Sequence, residues 1–307
     1  MRGLLVVNPK ATTTNPRVRD VLVHALQATL DLEVAVTDHR GHARELGEQA
    51  LRKQMDVVVT LGGDGTINEV VNGILIDGPG PNVPALATVP GGSGNVLARS
   101  SGLPRDPVEA TGVLIAGLED KRFRTINLGI ASDRWLTMSV GMGLDAEIIA
   151  AMEAARERGK RATPTRYFMT TLREYFAGTD RRNPMITVER PKEEDIDNVF
   201  VAIVQNAAPW TFFGDLPVNP NPEASFDRNL DVFAIRDLRV LPSLRWTRRL
   251  LMGSSAGSAN GLFVGRDLKE MTLRADRPTA VQLDGEGLGE MTEVKVSSVL
   301  RALRIVV

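Results

Sequence analysis

The sequence predicts an α/β + β protein. An N-terminal three-layer α/β domain on a parallel sheet is followed by a mostly antiparallel β-sandwich domain, with the active site expected in the interdomain cleft. Three observations carry this expectation. Continuous apolar runs alternate with amphipathic helical segments over the first third of the chain, as strands buried on both faces of a parallel sheet require. From about Thr125 short strand-like runs separated by turn residues take over. Glycine-rich loops follow two of the early strands, at the strand ends where open α/β sheets bind ligands.

In order along the chain, "GLLVVN" is a continuous apolar strand, and Val18, Val21, Leu22, Ala25 and Leu26 then share one helical face. "LEVAVT" is a second strand and "HARELGEQALRK" a second helix. "MDVVVTL" is a third strand, after which Ile67, Val70, Val71, Ile74 and Leu75 fall at i, i+3, i+4, i+7 and i+8. "PALATVP" is a fourth strand, followed by "GGSGN" and short helices to about Gly117. Beyond Thr125 the strand-like runs are "TINLGIA", "RWLTMSVG", "MITVER", "NVFVAIVQN", "NLDVFAI", "EMTLRA", "TAVQL" and "TEVKV". A helical insertion from about Leu144 to Phe176 interrupts them. The expected domains are 1–124 and 125–297, with the last strand, about 298–307, returning to the first.

Bulk composition sets bounds. The chain has 307 residues, 43% hydrophobic and 24% charged, as ordinary globular proteins do, and a formal net charge of −1. Near-neutral charge gives no global nucleic-acid signal, and no nucleic-acid partner is expected. With no cysteine there are no disulfides and no thiolate metal ligands. No apolar stretch approaches the roughly 18 residues that span a bilayer. A cytoplasmic protein is expected, with any membrane work done at a surface.

The chemistry lies in the loops. In "DVVVTLGGDGTINEVVNG" (56–73), Gly62, Gly63 and Gly65 let the backbone turn sharply and approach a ligand, just before a helix N-terminus suited to phosphate. "PGGSGNVLA" (90–98) repeats this logic with Gly92, Ser93 and Asn95. Tight strand-to-helix turns, with Asp64 as a helix cap, are the structural alternative. Neither "GxGxxG" in the first β–α turn nor "GxxxxGK[ST]" is present, which leaves a Rossmann dinucleotide site and a Walker loop unsupported.

"GGDGTINEVVNG" with "PGGSGNVLAR" about 25 residues later resembles the catalytic domain of diacylglycerol kinases, sphingosine kinases and their bacterial lipid-kinase relatives. "NPK" after the first strand, "VNPNPEASFDRNLDVFAI" and "QLDGE" are similar to later motifs of that family and occur in family order from Asn8 to Glu286. The resemblance implies ATP as phosphate donor with Mg²⁺, and a lipid alcohol such as diacylglycerol as acceptor, met at the membrane surface. By family position the nucleotide contacts fall at Asn8, Pro9, Lys10, Ala11, Thr12, Thr37, Gly63, Asp64, Gly65, Thr66, Ile67, Asn68, Glu69 and Ser93. Asp64 then reads as a holder of the metal or its waters, or as an acid near the acceptor hydroxyl. Glu286 is the family's candidate base, with Asp284 as its supporting neighbour, against a plain Asp-Gly hairpin turn. Asp227, with the backbone carbonyls of Ala224 and Asn229, matches a bound Mg²⁺ of structural character, against a turn-rich loop.

The chain departs from the family at three places. Val96 stands where an acid is common, Arg228 where glycine is common, and threonine replaces the glycine of the first motif in "NPKATT". Sphingoid-base kinases, kinases of soluble acceptors such as NAD kinases, which also carry "GGDGT", and a non-catalytic nucleotide sensor are the alternatives. Lipid contact falls to "PWTFFG" (209–214) and to Ile148, Ile149, Met152, Tyr167, Phe168 and Met169, all of which also fit plain core. "RERGKR" and "RWTRRL" would attract anionic membranes, giving a peripheral, transient contact with the inner membrane surface. A homodimer is possible. His24, His39 and His42 show no metal-ligand spacing.

Overall fold

The computed structural model describes residues 1–12, 16–158, 164–180, 182–243, 248 and 261–307. These form two compact units, Met1–Leu128 with Val299–Val307, and Gly129–Ser298.

In the first unit four parallel strands, β1 (Arg2–Val7), β2 (Asp31–Val36), β3 (Val57–Gly62) and β4 (Ala85–Pro90), lie in the order β4-β3-β1-β2. Every residue of β3 and β4 is buried, as continuous apolar runs in the middle of a covered sheet should be. β2, at the edge, has only exposed and partly buried positions. Helices α1 (Pro16–Gln27), α2 (His42–Arg52), α3 (Asp64–Ile74), α4 (Val96–Ser100) and α5 (Pro107–Glu119) alternate with the strands. Leu22 and Leu26 of α1 and Leu114 and Leu118 of α5 join Leu5, Val59 and Val89 in one core. Val21, expected on the buried face of α1, is exposed instead. α2 and α3 touch backbone to backbone, since a Cβ on Gly73 would come within 2.1 Å of the Arg44 carbonyl oxygen.

The second unit is antiparallel and β-rich. After β5 (Phe123–Ala131) come β6 (Arg134–Leu136), β7 (Ser139–Gly143), helices α6 (Leu144–Glu157) and α7 (Pro164–Arg173), and a π-helical turn at Glu174–Gly178. Then follow β8 (Ile186–Glu189), β9 (Ile196–Val199), β10 (Val201–Gln205), β11 (Thr211–Phe213), β12 (Leu216–Val218), β13 (Leu230–Ile235) and β14 (Leu262–Leu268). The last two strands are β15 (Glu270–Leu283) and β16 (Glu286–Val306). The main ladder runs β14-β13-β10-β7-β15-β16, with β8 attached along the first half of β15 and β9 paired to β8. Along β10, Ala202 and Val204 face one core with Val140, Val232 and Leu283. Val201 and Ile203 face another, with Phe233, Leu144 and Ile148.

Three sequence expectations change form. "EMTLRA" and "TAVQL" are one strand, because a register shift between Arg274 and Thr279 absorbs the Asp-Arg-Pro stretch without ending the pairing. "TEVKV" and "ALRIVV" are likewise one strand, whose end pairs in parallel with β4 at Ile305↔Leu86. "RWLTMSVG" splits into β6 and β7, because the amides of Thr137 and Met138 donate to a side chain, Asp284.

Candidate functional site

Asn8, Thr37, Gly62 and Pro90 stand at the C-terminal ends of the four parallel strands, with Val7 paired to both Val36 and Leu61 and Gly62 paired to Pro90. The chain must leave the sheet at each of these points, so the loops that carry the expected nucleotide contacts gather along one edge.

The two glycine loops interlock. Gly91 N donates to Gly62 O at 2.7 Å, and a Cβ on Gly92 would come within 2.6 Å of the Gly63 Cα. A Cβ on Gly91 would come within 2.8 Å of the Gly62 nitrogen. Two loops whose contacting glycines are 29 residues apart in sequence are thus pressed backbone to backbone, which only glycine permits. Asp64 clamps them. Its Oδ1 accepts from Val96 N at 2.6 Å and Leu97 N at 3.4 Å, and a Cβ on Gly94 would come within 2.9 Å of its Oδ2. The acid therefore caps a helix, but α4 and not its own; the N-cap of α3 is Gly63, which makes no side-chain cap. The first turn of α3 accordingly presents its amides where a phosphate would be received.

Smaller contacts fix the rest. Asn8 Nδ2 donates to Thr66 Oγ1 at 2.9 Å, and Asn8 Oδ1 accepts from Lys10 N at 2.9 Å, shaping the loop through Pro9 and Ala11 towards Thr12. Asn95, in the left-handed region at φ 51°, exchanges bonds with Gly92: its Oδ1 accepts from Gly92 N and its Nδ2 donates to Gly92 O, both at 2.8 Å. The Gly92 amide thus serves the loop itself, whereas the next residue, Ser93, is exposed. Ile67 and Asn68 are buried in α3, which makes their side chains core. Glu69 uses both oxygens on α2, accepting from Gly41 N at 2.9 Å and Ala43 N at 3.1 Å. That is a helix cap supplied from a neighbouring helix.

In the second unit, Asp284 and Gly285 form the two-residue turn between β15 and β16, with φ of 48° and 83° and Leu283 paired to Glu286. Positive φ at both positions is what such a hairpin needs. Asp284 is more than a turn residue. Its buried carboxylate accepts from Thr137 N at 2.8 Å, Thr137 Oγ1 at 2.7 Å, Met138 N at 2.8 Å and Ser139 N at 2.9 Å. Four donors on two oxygens make it an anchor for the turn. Glu286 follows directly, with Arg134 Nη2 at 3.9 Å from its Oε2.

The expected Mg²⁺ loop is well ordered by protein contacts. Asp227 N donates to Ser225 Oγ at 3.3 Å, the Ala224 carbonyl accepts from Ala208 N at 3.0 Å, and both nitrogens of Asn229 donate to Asp267 Oδ1 at 3.0 Å. The Asn229 side chain is therefore turned to Asp267, leaving its carbonyl as the donor in question. One carboxylate and two carbonyls are hard oxygen donors of the kind Mg²⁺ takes, and they fit that ion in kind. Sequence reasoning missed a different group. Asp38, His39 and His42 bring ligand atoms within 4.8 Å of one another, and the two imidazoles stack at 4.9 Å. Hydrogen bonds between Asp38 and His39 hold the imidazole pKa above its ordinary value and the carboxyl below its own. The i, i+3 spacing of His39 and His42 was the available signal.

Of the lipid-contact candidates, Ile148 and Met152 are core, Trp210 packs against the Phe233 cluster, and Met169 is exposed. The side chains of Tyr167 and Phe168 and most of the basic stretches "RERGKR" and "RWTRRL" lie outside the described residues. Among the described residues no helix is long and apolar enough to cross a membrane.

An open parallel sheet with glycine loops crowded at its strand ends defines the class, an α/β domain of the kind in which ligands bind at the carboxyl edge. Residues 2–128 match the diacylglycerol kinase catalytic domain. It is 34% identical over 116 residues to a diacylglycerol kinase of Staphylococcus haemolyticus, covering 38% of this chain and 33% of that one. It is 30% identical over 150 residues to a diacylglycerol kinase of Bacillus subtilis, covering 48% of this chain and 47% of that one. The matches therefore span from a third to about half the length of these curated relatives. A Bacillus anthracis chain described as a diacylglycerol kinase shares the fold, with a TM-score of 0.78 at 20% identity over 99% of this chain and 96% of that one. An NAD kinase from Archaeoglobus fulgidus, solved in complex with ATP, is more distant, with a TM-score of 0.54 at 13% identity over 99% of this chain and 93% of that one.

Proposed function

We propose that this protein is an ATP- and Mg²⁺-dependent lipid kinase that phosphorylates the hydroxyl of diacylglycerol or a related lipid alcohol at the membrane surface. The observation that carries the reading is the interlocked pair of glycine loops clamped by Asp64, taken with the family match over the same residues.

In this reading the first-turn amides of α3 and the loop at Ser93 hold the phosphates of the donor. Bound Mg²⁺ neutralises charge that builds on the phosphates during transfer. Asp64 faces that region and orients the metal or its waters while holding α4. Glu286 takes the proton of the acceptor hydroxyl as that oxygen bonds to the γ-phosphorus. The bond from that phosphorus to the β–γ bridging oxygen breaks, and ADP leaves. Asp284 keeps Glu286 in place through its four bonds to Thr137–Ser139. Asp227 with the carbonyls of Ala224 and Asn229 would hold a second, structural Mg²⁺.

The test is transfer of radiolabelled phosphate from ATP to a panel of lipid alcohols in mixed micelles, with NAD and sugars alongside and Glu286→Gln beside the wild type. Label in a lipid, lost in the variant, supports the reading. Label in NAD or a sugar sinks the lipid acceptor, and binding of ATP without label anywhere sinks the kinase.

A further inference from the structure

The turn that carries Glu286 is held from a second side. Gln282 Oε1 accepts from Gly285 N at 2.9 Å, and Gln282 Nε2 donates to Asp145 Oδ2 at 2.9 Å. Asp145 is buried at the start of α6, and its pairing with Gln282 passes over β7 at Gly141, which is paired to Gln282. A Cβ there would come within 2.5 Å of Asp145 Oδ2 and 2.8 Å of Gln282 Nε2. Glycine leaves room for the pair, and no larger residue would.

The pairing fixes the direction of an amide. A glutamine can turn its amide end for end, and only one of the two orientations offers an acceptor to Gly285 N. A carboxylate accepts only, so Asp145 selects the orientation with Nε2 towards itself and Oε1 towards the turn. Through Gln282, Asp145 determines whether the Gly285 amide has a partner. We propose that Asp145 and Gln282 are positioning residues that hold the Asp284–Gly285 turn, and with it Glu286, in the geometry needed for proton abstraction. This rests on the reading of Glu286 as the base.

Two readouts test it. The first is hydrogen exchange at the Gly285 amide, read by NMR, which needs no turnover. Gln282→Met keeps the side-chain length and removes the acceptor; Asp145→Ala removes the acid; Asp145→Asn keeps an oxygen that can accept from Nε2. Exchange at Gly285 is expected to rise tenfold or more in Gln282→Met and Asp145→Ala, and to stay within threefold of wild type in Asp145→Asn. A wild-type rate at Gly285 in Asp145→Ala overturns the proposal, even if Gln282→Met exchanges faster. The second is kinetic. In the wild-type background both disruptive variants should lower kcat about tenfold and leave KM for ATP within twofold. In the Glu286→Gln background they should lower it no further. A further drop there overturns action through Glu286. If wild type transfers no phosphate to any lipid, the kinase reading falls, while the exchange experiment still decides whether the relay holds the turn.

Discussion

Asp64 Oδ1 accepts from Val96 N at 2.6 Å, so the acid that opens α3 terminates a helix 32 residues away and ties one glycine loop to the other. The negative charge at the centre of this glycine loop thus has a structural reason, and the proposed metal would add a chemical one. The two reasons separate by substitution. Asp64→Ala should lose about 1 kcal/mol of stability, the usual cost of a lost cap, whereas Asp64→Asn keeps an accepting oxygen and most of that stability. Both should lower phosphate transfer on the order of a hundredfold if the carboxylate's charge orients a metal. Urea unfolding together with lipid-kinase turnover decides it; an active Asp64→Asn leaves the cap as the residue's whole role.

The contact of Gly92 with Gly63 predicts an unequal response to alanine. Gly92→Ala places a Cβ within 2.6 Å of the Gly63 Cα, a backbone atom that cannot rotate away. The loops must part, at a cost of about 1–3 kcal/mol, with loss of ATP binding in calorimetry. Gly112, on the exposed side of α5 with nothing within 4 Å, should behave oppositely. Alanine there should stabilise by about 0.5–1 kcal/mol and leave ATP binding unchanged.

Asp284 should be the more damaging loss of the turn's two acids. Asp284→Ala leaves two buried amides and a buried hydroxyl near it without their acceptor, along with the amide of Ser139. A destabilisation of about 3–5 kcal/mol is expected from several such groups together. Glu286→Gln, with its side chain partly exposed, should unfold within about 0.5 kcal/mol of wild type while losing turnover. Paired thermal melts and activity measurements check the contrast. Equal loss of stability in the two would remove the distinction between anchor and base.

Asp145 predicts a pH dependence of stability with a definite sign. Burial raises its pKa from 3.8 to about 6, against a smaller lowering by the bond from Gln282. The folded state then binds a proton that the unfolded state has already released between those two values. This contribution is fully present below about pH 4 and is lost as pH rises to about 6, roughly 3 kcal/mol in all. Asp145→Asn should remove that part of the slope. The difference between wild-type and variant unfolding free energies, measured from pH 4 to pH 7, should grow in the variant's favour; a flat difference would contradict it.

Much of this architecture could be read from local pattern. Continuous apolar runs such as "DVVVTL" and helical faces such as Ile67–Leu75 depend only on burial and on side-chain period, so they are visible in a single sequence. The glycine loops were visible for the same reason, because glycine is needed wherever the backbone is crowded. Strand ends were harder. A register shift let "EMTLRA" and "TAVQL" form one strand despite Pro278, since pairing is decided by the partner strand and not by the run itself.

The sequence by itself determined which residues could serve: acids at 64, 284 and 286, glycines at 62, 63 and 92, and an α/β half followed by a β half. Only the tertiary structure decided what each one does. Asp64 caps α4, Glu69 caps α2, Asp284 is saturated by four donors, and Gln282 turns its amide towards Asp145. The physical reason is that a carboxylate is only an acceptor in waiting. Its role is set by which donors the fold brings within about 3 Å, and those donors lie 26 to 147 residues away in the chain.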